Sequence, residues 1–180
     1  EWIQDSLVRD FNITLAQLDR VHNFKTASLF KWCLRAPFYA CEKNEADLHA
    51  LLEELGTMLG VLFQRSDDLL DFDIRNYEGK AVLGDLKSGY LNSFSVFLCE
   101  GLPAAKKDEF LLAQTLSEVI SAVGDDWFKS KLKHFDELNQ SLIQVYEHQV
   151  KRLSHYLTGS QMGLIDELLP LPKPIYWRKV

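Results

Sequence analysis

Asp67, Asp68 and Asp71 stand close together in the segment FQRSDDLLDFDIRNYEGK, residues 63–80, which otherwise reads as a buried helix. Drawn on a helix at about 100° per residue, Thr57, Gly60, Gln64, Asp67, Asp68 and Asp71 share one narrow face. Leu55, Leu59, Leu62, Phe63, Leu69 and Leu70 take the opposite side, with Arg65 and Ser66 between. A solvated helix face mixes lysine with glutamate, whereas this stripe carries small residues, one amide and carboxylates. Asp67 and Asp71, one turn apart, place their Cβ atoms roughly 5–6 Å from each other. Like charges at that spacing repel, and burial raises the cost unless a cation neutralises them. Mg²⁺ takes oxygen ligands and is commonly held by one or two carboxylates together with substrate phosphates. Two readings stand side by side, a metal–diphosphate site and a satisfied acidic surface. Lys25 and Lys80 are each either solvated surface residues or cations able to reach the same phosphate oxygens. Gly56 and Gly60, four apart, equally suit a close helix–helix approach.

Those residues need helices to hold them. Thr14-Leu-Ala-Gln17 reads as a capping box opening a helix that runs to about residue 35, where Pro37 interrupts it. Asn44 reads as the cap of a helix over about 45–74. A loop follows to Gly89, and helices resume near 93–99, 104–123, 127–157 and 161–169. Prolines 170, 172 and 174 mark an extended tail over 170–180. No alternating strand pattern, repeat or low-complexity segment interrupts this order, so the expected fold class is all-α.

The chain has 180 residues, nearly half of them hydrophobic, enough for one helical domain with a sizeable core. A net charge of −6 argues against nucleic acid as the main partner. No long uninterrupted apolar stretch predicts a transmembrane segment. Cys33, Cys41 and Cys99 lack metal-ligand spacing and read as reduced thiols in a cytoplasmic protein.

Phe63-Gln64, Asp67-Asp68, Asp71 and Gly79-Lys80 together form F-Q-x-x-D-D-x-x-D followed by G-K. This pattern resembles the second aspartate-rich motif of trans-isoprenyl diphosphate synthases, the polyprenyl synthetase family. Upstream, Lys25-Thr26-Ala27-Ser28-Leu29-Phe30 resembles the family's lysine-threonine motif, and Glu1-x-x-Gln4 resembles the E-x-x-Q helix of its longer-chain members. The resemblance implies an isoprenoid-synthase-type helical bundle that condenses an allylic prenyl diphosphate with isopentenyl diphosphate. It implies Mg²⁺ on Asp67 and Asp71, with Asp68 ligating or supporting. It further implies Lys25 and Lys80 on the allylic diphosphate, and Thr26 and Gln64 beside the ionising carbon.

Two departures shape the expectation. The family's first aspartate motif is missing, since Asp125-Asp126 is followed by Trp-Phe-Lys. Residues 1–180 therefore read as the C-terminal half of a single helical prenyl synthase domain, working as a homodimer or paired with its own N-terminal half. Beyond Gly-Lys, the family often carries D-x-x-x-G-K-x-T-x-P. Here Asp85-Leu-Lys-Ser-Gly89 leads to Tyr90, Asn92 and Phe94, where lysine, threonine and proline are expected. The alternative to an enzyme is a non-catalytic prenyl-synthase-like subunit that binds and tunes a complete partner.

Overall fold

A threonine and a glutamine decide where the first described helix begins. The computed structural model describes residues 10–72 and 82–176. In it, Gln17 Oε1 accepts from the Thr14 backbone N–H at 2.8 Å, and Thr14 Oγ1 accepts from that of Gln17 at 3.3 Å. This reciprocal cap is the one the sequence predicts, and it satisfies two N–H groups that helix geometry leaves without partners. Helix α1, Leu15–His22, passes into one π-helical turn, Asn23–Ala27, and then into α2, Ser28–Ala40. Pro37, expected to interrupt this run, lies inside α2. Its missing N–H frees the Cys33 carbonyl, and both residues are exposed, so water is at hand to replace the lost bond.

Helix α3 spans Ala46–Leu70. Asn44 does not hold the expected cap position, which falls to Glu45, whose carbonyl accepts from the His49 N–H at 3.1 Å; Asn44 Nδ2 donates back to the Glu42 carbonyl at 3.4 Å. The far end also differs from expectation: Asp71 and Phe72 form a turn, and residues 73–81, with Gly79 and Lys80 among them, lie outside the described residues. Four shorter helices follow: α4 (Gly84–Lys87), α5 (Ser93–Cys99), α6 (Ala104–Leu112) and α7 (Leu116–Val123). A single helix over 104–123 was expected, but Thr115 breaks it by capping α7, its Oγ1 accepting from the Glu118 N–H at 3.2 Å. The pattern Thr115-x-x-Glu118 is itself a helix-start signal. The long α8, Asp125–Arg152, ends sooner than expected in a 3₁₀ turn, Leu153–His155. A second 3₁₀ turn, Gly159–Gln161, precedes α9, Gly163–Leu168. The tail is corrected too: Pro172–Tyr176 forms a helical turn, α10, with proline at the first helical position, which its fixed φ favours. Among the described residues there is no strand, and no helix is long and apolar enough to cross a membrane. The all-α fold class is borne out.

The chain divides into two units. One comprises, among the described residues, 10–21, 67–72 and 82–137; the other comprises 22–66 and 138–176. The first is built around Phe94, which is fully buried. Its ring meets Phe72, Phe128 and Phe135 edge-on, at centroid distances of 5.0, 5.8 and 5.3 Å. Such geometry sets the positive ring edge against the negative face. The second unit buries Leu48, Leu52, Leu55 and Leu59 of α3 with Tyr146, Val150 and Leu153. Tyr146 keeps its polar end satisfied by donating to the Leu168 carbonyl at 3.1 Å.

Within the second unit, α3 and the helix before it touch backbone to backbone. A Cβ at Gly60 would lie 2.3 Å from Ala27 Cα, and one at Gly56 would lie 2.6 Å from Lys31 Cα and N. Neither neighbour is a flexible side-chain tip, so the two glycines are packing residues. Gly60→Ala should therefore destabilise the fold by about 1–3 kcal/mol through overpacking. Phe94→Ala should cost about 3–5 kcal/mol. Gly163→Ala, with nothing within 4 Å of the new Cβ, should be near neutral. Urea denaturation of the three variants checks the order, and a Gly60→Ala protein as stable as Gly163→Ala would contradict the close contact.

Candidate active site

In the second unit, Lys25 and Thr26 occupy the π-helical turn Asn23–Ala27. Such turns are rare in helices and recur at functional sites, because the wider turn re-aims its side chains. Thr26 Oγ1 donates to Gln64 Oε1 at 3.2 Å, with both residues half-buried. The contact lies one turn from the Gly60–Ala27 approach, so the missing Cβ is what lets these polar groups meet. Lys25 is exposed. Lys31 Nζ donates to Asn23 Oδ1 at 2.5 Å, tying the π turn to α2. Next along α3, Arg65 and Ser66 are buried polar residues with defined partners. Arg65 donates to Asn139 Oδ1 at 2.9 Å and Ser66 Oγ to the Tyr176 carbonyl at 3.0 Å. A cleft of about 410 Å³ in this unit, lined by residues including Pro37, Phe38, Cys41 and Leu164, contains none of the candidate residues.

The aspartates belong to the first unit, where they are not equivalent. Asp67 is half-buried, whereas Asp68 and Asp71 are 3% and 7% exposed. Asp68 Oδ2 accepts from the Ser93 N–H at 2.8 Å. Asp71 accepts from two consecutive amides, Gly84 N–H on Oδ1 at 2.8 Å and Asp85 N–H on Oδ2 at 3.2 Å. Its own carbonyl accepts from Leu83 N–H at 2.9 Å. Charge-assisted bonds of this kind let a carboxylate remain ionised in a buried place. The repulsion expected between Asp67 and Asp71 is therefore met, on the Asp71 side, by backbone amides. That partnership was invisible in the local spacing, because the donors are backbone N–H groups of residues 84, 85 and 93, which a helical wheel does not register.

The positions that depart from the family pattern have work of their own. Phe94 is the centre of the first unit's core. Asn92 is buried and caps α5, its Oδ1 accepting from the Ser95 N–H at 2.9 Å. An asparagine just before the predicted helix at 93 is a cap signal that sequence reasoning left unused. Cys99 is buried in the same core, and burial pushes its thiol up to about 12, which leaves it inert.

The donor type suits a hard cation: carboxylate oxygens, with Asp68 and Asp71 oriented by backbone N–H bonds. Among the described residues no three acidic, histidine or cysteine side chains form a ready-made cage.

Comparison with known proteins gives one family. The polyprenyl synthetase family model matches residues 2–125, more than half of the chain. A relative, the farnesyl diphosphate synthase of Buchnera aphidicola subsp. Schizaphis graminum (strain Sg), is 29% identical over 70 residues, 38% of this chain. That match spans 24% of the relative's own length. No solved structure matches.

The hydrogen bonds separate the acids experimentally. Asp71→Ala removes the acceptor of two backbone N–H groups and should lower stability by about 1–2 kcal/mol. Asp108→Ala, at an exposed position of α6, should stay within about 0.5 kcal/mol of wild type. Urea denaturation in metal-free buffer decides it. Equal stability of the two variants would mean that the Asp71 bonds do not form.

Proposed function

The chain belongs to the polyprenyl synthetase family, and from that premise we propose that it serves a prenyltransferase joining an allylic prenyl diphosphate to isopentenyl diphosphate. The observation that carries this reading is the pair of buried carboxylates, Asp68 and Asp71, oriented by backbone amides at the end of the same helix that bears Gln64 and Asp67. In this reading Asp67 and Asp71 hold Mg²⁺, and Asp68 ligates it or supports its shell. Mg²⁺ supplies charge neutralisation on the departing diphosphate. Lys25 and Lys80 bind diphosphate oxygens. Thr26 and Gln64, whose mutual hydrogen bond fixes both side chains, present oxygen lone pairs to the allylic carbon as its C–O bond breaks and positive charge develops. Apolar walls keep water from the cation, so that the double bond of isopentenyl diphosphate captures it, and the new cation loses a proton to the released diphosphate to restore a double bond.

The protein acts as a homodimer or together with its own N-terminal half, in the cytosol where its three free thiols stay reduced. Phe24, Leu29 and Trp32 are 71%, 63% and 68% exposed, an apolar face that association would cover. A second reading, a non-catalytic subunit that tunes a complete partner, draws on Tyr90, which stands where the family carries a lysine. With Tyr90 there, one cation fewer faces the diphosphate.

The test is turnover in the assembled enzyme at saturating Mg²⁺. Asp67→Ala should lower kcat about a hundredfold or more, some 3 kcal/mol of lost transition-state stabilisation. Asp125→Ala, at the exposed start of α8, should leave it unchanged. Near-wild-type turnover by Asp67→Ala would remove the acids from the metal site and the enzyme reading with them. Sedimentation of the purified chain checks association: a mass above that of one chain is expected, and a stable lone monomer counts against it.

A further inference from the structure

We infer that Asn92 is a positioning residue for the acidic end of α3, acting on the carboxylates through bonds that only an amide side chain supplies. This rests on the reading that those carboxylates hold Mg²⁺. Asn92 is 6% exposed, and its amide makes every hydrogen bond open to it. Oδ1 accepts from the Ser95 N–H and from Ser95 Oγ, both at 2.9 Å. Nδ2 donates to the Asp68 carbonyl at 3.2 Å and to Asp85 Oδ2 at 3.1 Å. The first pair caps α5. The second pair does something a cap does not require.

The Asp68 carbonyl belongs to the last turn of α3, and the Phe72 N–H one turn on bonds the Leu69 carbonyl instead. Asn92 takes that carbonyl, while the next residue, Ser93, gives its N–H to Asp68 Oδ2. Asp68 is thus gripped at backbone and side chain by two consecutive residues. The bond to Asp85 closes the other side. Asp85 offers its N–H to Asp71 and its carboxylate to Asn92, so the segment 84–92 is pinned at both ends to the acids at the end of α3 and in the turn after it. The carboxylates are oriented before any ligand arrives, and outer partners of this kind typically govern metal affinity about tenfold or more. A threonine, the residue the family pattern has at this position, can cap α5 but cannot donate to Asp68 and Asp85 together.

That difference supplies the experiment, made on the full chain. Asn92→Ala loses cap and bridge; Asn92→Thr keeps the cap acceptor and loses the bridge. Thermal unfolding without metal reads the cap, and Mn²⁺ titration followed by electron paramagnetic resonance reads the site. Asn92→Thr should recover most of the stability that Asn92→Ala loses, yet both should bind Mn²⁺ about tenfold more weakly than wild type. Wild-type Mn²⁺ affinity in Asn92→Thr would make Asn92 a helix cap alone and overturn the inference. Asp67→Ala, titrated in parallel, separates the two failures. If it loses Mn²⁺ while both Asn92 variants keep it, only the positioning role falls. If it too binds as wild type, the metal reading beneath falls first.

Discussion

A carboxylate taken out of water must find donors or give up its charge, and the first unit is arranged around two that find them. Asp68 and Asp71 accept from the N–H groups of Ser93, Gly84 and Asp85. Those amides are available because the chain between 84 and 93 turns twice. A four-residue helix ends at Lys87, and a second begins at Ser93 behind the Asn92 cap. The backbone enters α4 through Leu83, whose φ of 60° is a left-handed conformation that a branched apolar residue adopts only when its surroundings hold it there. Leu83 is fully buried, and its N–H bonds the Asp71 carbonyl. Packing below and hydrogen bonding above thus hold the strained residue and present two amides to Asp71.

The second unit rests on a steric constraint instead. Gly60 and Gly56 let α3 meet Ala27 and Lys31 with no side chain between, and the Thr26–Gln64 bond follows from that proximity. The π turn at 23–27 sits at the same contact. A helix that must bring its backbone against a neighbour while also pointing Lys25 outward and Thr26 inward gains from one residue of extra circumference. The two units therefore prepare polar groups by different means, one by hydrogen-bonding side chains to backbone, the other by removing side chains.

The departures from the family's residue pattern look different in this light. Phe94 replaces an expected proline and fills the centre of an aromatic cluster. Asn92 replaces an expected threonine and takes over its capping chemistry while adding two donors. Neither position is vacant of purpose. Tyr90 alone changes the charge of the segment, a neutral phenol where the pattern has a lysine.

Helix content, the capping box at Thr14, the packing role open to the glycines and the grouping of Gln64 with Asp67 were legible because each is local. Periodicity and three-residue spacing are written in the chain itself. The cap at Thr115 was equally local, and only a missed signal joined α6 to α7. The helical turn at Pro172 was local too, since proline suits a first helical position; the end of α3 and the continuation of α2 through Pro37 depended on what lay nearby, a waiting amide or an exposed carbonyl. The inequality of the three aspartates was beyond reach of spacing. Asp67, Asp68 and Asp71 are chemically identical in the sequence, and only the fold decides which are buried and which receive a backbone N–H from a segment thirteen to twenty-five residues away. A carboxylate's role is set by its donors, and those come from the tertiary structure.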